Sequence, residues 1–482
     1  MVTRPLGMDS VGMIRSAGFE QTVLLSPPGS DFVPDPAVPH SEWAQVSWNR
    51  DVTETVAALA DFEPDWVVLD SYAFDAKWHA EVRASLRCKV AQIDDLADRE
   101  LSCDLLIDHT FAHDHRVKYA NVLPPSARII GGPRYGLLGP AYAEAKRYAF
   151  SEEVHSIGIF MGGIDAGRHA FAVLDALSAI GFSGEVEVVA TSANPHLGDL
   201  RDRIARRAGT RLSLDLPDLT AFFARHDLQV GAGGGASWER CCIGVPTLLV
   251  VVAANQMSVA PLLAEAGIAA FSPDPTPSGL AKQLAELIAD APRRARLAAR
   301  SRELVDGLGA TRVALALLAQ GLSVRPANLE DARMMFDWRG HPTTRAFSRD
   351  SDALVWSDHI AWLCAVFEDP ARKLFVGEIG GRAVGVIRFD FSAAGRAEVS
   401  LYLDPALHGL GLGKHLLLAG EAAIEPVIVD AIVLERNHAS RRLFESCGYV
   451  AVGPTAWQKH RLPGPGARRF SAAHQRSDFH AD

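Results

Sequence analysis

Three glycine clusters in this chain stand where backbone could bind a polyanion. The stretch VGAGGGASWERCCIGVPTLLVVVAANQ (230–256) runs from an apolar strand into a glycine series and then a helix beginning near Ser237. Glycine lets the main chain approach a ligand closely, and a helix start presents N–H groups without intrahelical acceptors, so the combination suits phosphate. Glu239, in the first helical turn, is placed to accept hydrogen bonds from the vicinal hydroxyls of a ribose. The competing reading of Glu239 is a carboxylate that only complements the helix dipole. A second corner, Gly162-Gly163 in IGIFMGGIDAGRHA (157–170), ends another apolar run and offers either a diphosphate cradle or a tight turn. Two such corners at matching topological places in one lobe reinforce each other. The third cluster, DPALHGLGLGKHLL (404–417), has the same strand–loop–helix form.

The elements that must position these corners change character along the chain. Through the first 300 or so residues, short β-branched runs at 21–25, 66–70, 89–93, 105–108, 156–160, 186–190, 228–230 and 247–252 alternate with helical patterns such as 52–59, 75–86, 168–180 and 197–208. That alternation predicts βαβ units and a parallel sheet. The first recognisable element is the helix at 8–17. GGPRYGLLGP (131–140) interrupts the series, and a new alternation starts at Ser156. The expectation is two Rossmann-like lobes facing each other, 1–140 and 141–310, with helices at 277–289 and 293–308 closing the second. Near Leu322 the pattern becomes α+β, with a hairpin between KLFVGEIGG and RAVGVIRFDF turning at Gly380-Gly381. This predicts a third domain over 322–460. The remainder, 461–482, has no periodic apolar face and reads as disordered.

Composition narrows the function. A chain of 482 residues exceeds one ordinary core. Its net charge of −10 argues against a general nucleic-acid binder, which needs a basic face. The six cysteines, at 88, 103, 241, 242, 364 and 447, form no CxxC pair and no metal-ligand spacing, as expected for reduced, mostly buried thiols of a cytoplasmic protein. The longest apolar run, 245–254, falls short of the roughly 20 residues that span a membrane. No membrane, nucleic-acid or metal partner is expected.

The runs DWVVLDSYAFDAKWH (65–79), AQIDDLADRELSCDLLID (91–108), RIIGGPRYGLLGPAY (128–142), FMGGIDAG (160–167) and GAGGGASWERCCIGVPTLLVVVAANQ (231–256) resemble the UDP-sugar hydrolase of pseudaminic acid biosynthesis, a relative of MurG-type GT-B glycosyltransferases. The resemblance covers roughly 5–310. It implies two GT-B-like lobes that hydrolyse UDP-2,4-diacetamido-2,4,6-trideoxy-β-L-altropyranose to the free sugar and UDP, without a metal. Carried onto this sequence, it puts Ser237 and Glu239 near uridine and ribose, Gly162 and Gly163 near the diphosphate, and Asn255 and Gln256 near the sugar. Tyr72 would face the sugar from the first lobe. Asp94 and Asp95, which end the next strand, read almost equally well as a solvated pair, and His79 stands where the family usually has Glu. The family also opens with a strand and a GxGH-type loop whose histidine serves the hydrolysis. This chain has no counterpart, so the first lobe reads as truncated, and two explanations stay open: a misassigned start, or a lobe that binds UDP-sugar and has lost its base.

The block at 404–417 fits the GNAT pattern Q/R-x-x-G-x-G/A, with His408 in the basic slot, Gly411 and Gly413 in the glycine slots, and Gly409 on the family's extra glycine. Downstream, VLERNHASRRLFESCGYV (433–450) resembles the second GNAT signature, with Asn437, Phe444 and Gly448-Tyr449. MMFDWRGHPTTRAFS (334–348), SDHIAWL (357–363) and AEVSLYL (397–403) resemble the acetyltransferase of the same pathway, which uses acetyl-CoA to acetylate the 4-amino group of a UDP-amino-sugar. The resemblance implies a coenzyme A cradle formed by Leu403, His408, Gly409, Leu410, Gly411, Leu412, Gly413 and Asn437. Phe444 occupies the place where many GNATs carry a tyrosine general acid. Glu398 could act through water as base for the acceptor amine, or be an exposed strand carboxylate. His359 and Trp362 would line the acceptor site or pack its helix rather than do chemistry, and Trp338 and Arg339 would likewise serve the acceptor. The whole reads as a bifunctional enzyme handling one UDP-sugar twice. The rival readings are a GT-B glycosyltransferase fused to an acetyltransferase, or a UDP-sugar-binding lobe pair without hydrolysis beside an active acetyltransferase.

Overall fold

A computed structural model describes residues 1–6, 10–27, 32–253, 256–348, 352–392, 395–425 and 428–460. The chain divides into two compact units, Met1–Val313 and Ala314–Asp482. The expected disordered tail, 461–482, lies outside the described residues.

The first unit is α/β throughout. Its opening differs from the sequence reading: a strand, Val2–Thr3, precedes the helix Ser10–Ser16 and pairs parallel with Thr22–Val23. Two-residue strands carry no periodicity, so nothing in the sequence marked the first one. Arg4 anchors this segment, buried against Asp51 at 2.8 Å and Glu54 at 2.6 Å on the helix Trp48–Leu59. Asp51 also accepts from the indole of Trp78 at 2.9 Å.

A four-stranded parallel sheet follows in sequence order, Trp66–Leu69, Lys89–Ile93, Leu105–Asp108 and Arg128–Gly131. The last of these was not among the expected strands, because its three apolar or basic residues run straight into a glycine-proline turn. The second lobe is a six-stranded parallel sheet in the order Ala270–Ser272, Thr247–Val250, Leu228–Ala232, Ser156–Phe160, Glu185–Ala190, Thr210–Leu214. Helices cover both faces, so its inner strands are buried on both sides and read as continuous apolar runs. His169–Ala179 and Pro277–Ala289 pack over one face. Ala236–Ile243 and Ala291–Leu304 lie together elsewhere in the lobe. Glu187 is a fully buried carboxylate inside this sheet, paired with Arg211, Arg225 and His226 and accepting from Ser213. A buried charge persists only when compensated in this way.

The second unit is α+β. Seven strands form one sheet, with Arg372–Ile379 and Arg382–Ser392 as the expected antiparallel hairpin. Gly380 and Gly381 hold its turn at φ 56° and 79°, a left-handed pair that only glycine adopts without strain. The strand Arg396–Leu403 then pairs parallel with Ile428–Ile432, but only from Arg396↔Ile428 to Val399↔Ala431. Beyond Val399 the two strands part. Ala332–Gly340 and Trp356–Glu368 pack on one face of the sheet, and Leu412–Ala422 packs against the same strands. Five of the six cysteines are buried and all are free. Among the described residues no helix is long and apolar enough to cross a membrane, and no group of three or more metal-ligating side chains is assembled.

Candidate functional site

The chain leaves the central strands Ser156–Phe160 and Leu228–Ala232 in opposite directions across the second sheet, and the two are paired at Gly231↔Phe160. That makes their carboxyl ends a topological switch point, where open α/β sheets leave a crevice for ligands. Both expected glycine corners are there. Gly162 sits at φ 88° with open space where a side chain would project, whereas a side chain at Gly163 would meet Thr191 at 2.8 Å. Gly163 also accepts from the Thr191 hydroxyl at 2.9 Å, so its smallness serves packing.

In the other corner, Gly233 N–H donates to Gln256 Oε1 at 3.2 Å, and the same oxygen takes Val252 N–H at 3.0 Å. Gln256, expected beside the sugar, thus ties the glycine loop to the end of the next strand. Among the described residues the N–H groups of Gly234, Gly235 and Ala236 have no acceptor. Three consecutive donors without acceptors at a helix start are a geometry suited to an anion. Ser237 is buried, and its hydroxyl is engaged within the corner, donating to the Ala232 carbonyl at 3.4 Å. Glu239 is half-buried and hydrogen-bonded by the Tyr142 hydroxyl. Burial holds its carboxyl above the usual range, an effect the Tyr142 bond opposes. Asn255 lies outside the described residues.

In the first lobe, Tyr72 donates to Asp95 Oδ1 at 2.6 Å and carries the Arg99 guanidinium over its ring at 5.7 Å. Burial, then that carboxylate, push its hydroxyl pKa up. Asp94 is not a solvated partner of Asp95. It is buried, pairs with Arg99 at 2.6 Å and accepts from the N–H groups of Leu96 and Ala97. His79 is fully buried, bonded to Gln92 at 2.9 Å and accepting from Ser102 N–H at 3.0 Å. Burial pushes its pKa down to about 4, which makes it a neutral structural bridge.

The third corner forms in the second unit where Arg396–Leu403 runs past its parallel partner. Gly409 and Gly411 adopt φ 87° and 71°, which turns the chain into the helix Leu412–Ala422. Leu410 and Leu412 are fully buried anchors on either side of Gly411. A side chain at Gly413 would come within 3.2 Å of Leu443, so helix contact fixes that glycine. Leu403 closes over Gly385. His408 ends the short turn Pro405–Leu407 with extended backbone. Asn437 caps the helix His438–Ser446, accepting from Ser440 N–H at 3.0 Å. Phe444 is buried edge-on to Tyr449, whose hydroxyl is committed to Glu421 at 2.8 Å.

Glu398 lies in a row of three carboxylates across the sheet, in register with Asp390 on one side and Asp430 on the other. Arg388 pairs with Asp390 at 2.8 Å, and Arg396 with Asp430 at 2.5 Å. Alternation puts Tyr402 on the same strand face as Glu398. Its buried hydroxyl has no hydrogen-bond partner among the described residues. Trp362 lies between Arg339 at 4.9 Å and Arg388 at 5.5 Å, with His359 stacked on it at 5.8 Å. His359 is itself held by the Ala332 carbonyl at 3.1 Å. Tyr402 and Arg388 went unnoticed in the sequence, although the period-2 pattern through Glu398 pointed to Tyr402.

Sheet, splayed strands and glycine loop define the class of the second unit. Residues 332–449 match the acetyltransferase (GNAT) family, and the chain carries a GNAT acetyltransferase domain. Acetyltransferase PseH of Campylobacter jejuni is 27% identical over 120 residues, 24% of this chain and 76% of that protein. Spore coat polysaccharide biosynthesis protein SpsG of Bacillus subtilis is 30% identical over 197 residues, 39% of this chain. The chain spans 57% of that protein's length. A spermidine N-acetyltransferase structure from Vibrio cholerae, in complex with CoA and spermine, is 17% identical and covers 27% of this chain and 82% of its own, with a TM-score of 0.26.

Proposed function

We propose that the chain acetylates the amino group of a UDP-amino-sugar with acetyl-CoA, and that its first unit binds the resulting UDP-diacetamido-trideoxy-sugar and hydrolyses it to free sugar and UDP. The observation that carries this reading is the presence, on one chain, of a GNAT domain and a second, separate backbone anion corner at a sheet switch point. The likeness to a protein named for spore coat polysaccharide biosynthesis supports a sugar substrate, and the likeness to acetyltransferase PseH supports acetyl transfer.

In the acetyl-transfer half, the loop 408–413 wraps the coenzyme A pyrophosphate, and the open edge of the strand beyond Val399 receives the pantetheine arm. The acceptor lies over Trp362, with Arg339 and Arg388 beside it. An ammonium cannot attack a thioester, so the amine must lose a proton, and Glu398 takes it through a water. In the first unit, Gly162 and the N–H groups of Gly234, Gly235 and Ala236 hold the diphosphate, and Glu239 receives the ribose hydroxyls. Water attacks the anomeric carbon as the C–O bond to UDP breaks; the electron pair leaves on the UDP oxygen and the water's proton passes to solvent.

Incubation of the full chain with acetyl-CoA and the UDP-4-amino-sugar, followed by mass spectrometry, tests both steps. Acetylated UDP-sugar followed by free diacetamido sugar is expected. Acetylation with UDP bound but never released would leave a binding-only first unit, and no acetylation would overturn the reading.

A further inference from the structure

Arg240 leaves the helix Ala236–Ile243 one turn past the glycine run and folds back beneath the corner. It is 1% exposed. Its Nη2 donates to the Ala232 carbonyl at 2.6 Å and to the Ser237 hydroxyl at 3.2 Å. Its Nε and Nη1, both buried, have no acceptor among the described residues. A side chain at Gly231 would run into Nη1 and into the Phe160 carbonyl, which places the guanidinium between the ends of the two switch-point strands, behind both glycine corners. The Phe223 ring lies 5.9 Å away. Glu239, the neighbouring carboxylate, is hydrogen-bonded by Tyr142 instead.

Glu239 attracts the guanidinium through space but accepts none of its hydrogen bonds, and a buried cation whose charge is only partly met favours any site where an anion approaches. Arg240 also fixes one peptide group of the loop. It holds the carbonyl of Ala232 while Gln256 takes the N–H of Gly233, so the 232–233 peptide is pinned from both ends, next to three N–H groups without an acceptor among the described residues. We infer that Arg240 is the fixed positive charge of a nucleoside-diphosphate site, a positioning residue that acts from behind the glycine loop on the diphosphate and not on the nucleoside. This rests on the reading of the first unit as a UDP-sugar binder.

Calorimetry of the full chain with UDP and with uridine tests it. Arg240→Met is expected to weaken UDP about tenfold or more while uridine changes less than about twofold, because a dianion in a low-dielectric corner feels the charge and a neutral nucleoside does not. Arg240→Lys is expected to recover most of the preference for UDP over uridine. Unchanged UDP affinity in Arg240→Met overturns the inference, and so does equal loss of UDP and uridine, which marks a structural role. If Arg240→Met does not fold, Arg240→Gln takes its place, and a lysine variant no better than the neutral one overturns the inference. Failure of the wild-type chain to bind UDP would instead remove the reading of the first unit.

Discussion

His79 gives the sharpest quantitative test of the first lobe. Burial lowers its pKa from 6.5 to about 4, with Arg99 and Arg83 adding to the effect and the Gln92 bond opposing it. In the unfolded chain the ring protonates near 6.5, whereas the folded protein resists until about 4, so between those values the unfolded state binds more protons. Stability is therefore undiminished above pH 6.5 and falls as the pH drops towards 4. The difference between the two values amounts to about 3 kcal/mol. His79→Gln keeps an acceptor for Ser102 and a donor for Gln92 but does not titrate. Urea unfolding of the full chain at pH 7 and pH 4.5, read by hydrogen exchange in the strand Lys89–Ile93, follows this lobe's own transition. The variant is expected to be the less stable protein at pH 7, with the gap closing by about 2–3 kcal/mol at pH 4.5. Parallel pH dependences in the two proteins would refute the assignment of His79 as a buried neutral bridge.

Three other changes separate the sites. Gly411→Trp puts a bulky side chain at a left-handed position in the loop proposed to hold coenzyme A, and acetylation assays should find activity abolished while UDP affinity by calorimetry stays unchanged. Glu239→Ala removes the carboxylate bonded by Tyr142, and UDP should bind more weakly by roughly 1–3 kcal/mol; unaltered affinity would take Glu239 out of the ribose site. Glu187→Gln leaves Arg211, Arg225 and His226 around a fully buried neutral amide. Chemical denaturation of the second lobe should show a loss of about 3 kcal/mol, and a loss near zero would mean the two half-exposed arginines are satisfied by solvent.

Long apolar strands were legible in the sequence because burial on both faces leaves few other patterns. The strands at 89–93, 105–108 and 156–160 sit where the β-branched runs placed them. Val2–Thr3 was not legible because two residues carry no pattern, and the segment holds by pairing and by the Arg4 anchor; Arg128–Gly131 was not, because it opens on a basic residue and runs straight into a glycine-proline turn. The glycine corners could be read as strand–loop–helix turns from composition and order. What each side chain does inside them could not. Ser237 and Gln256 shape the loop through contacts fixed only in three dimensions, and Asp94 became a buried ion-pair partner because Arg99 returns to it. Asn437 reads as a helix cap in the structure, a role its position before a helical run also allowed.

The central claim is that two separate main-chain corners hold two different polyanions. Hydrogen exchange of the full chain, with UDP alone and with coenzyme A alone, tests it most directly. UDP is expected to slow exchange across 231–243 and leave 403–417 unchanged, and coenzyme A to do the reverse. Protection of neither segment by its own ligand, or of the same segment by both, would contradict the account.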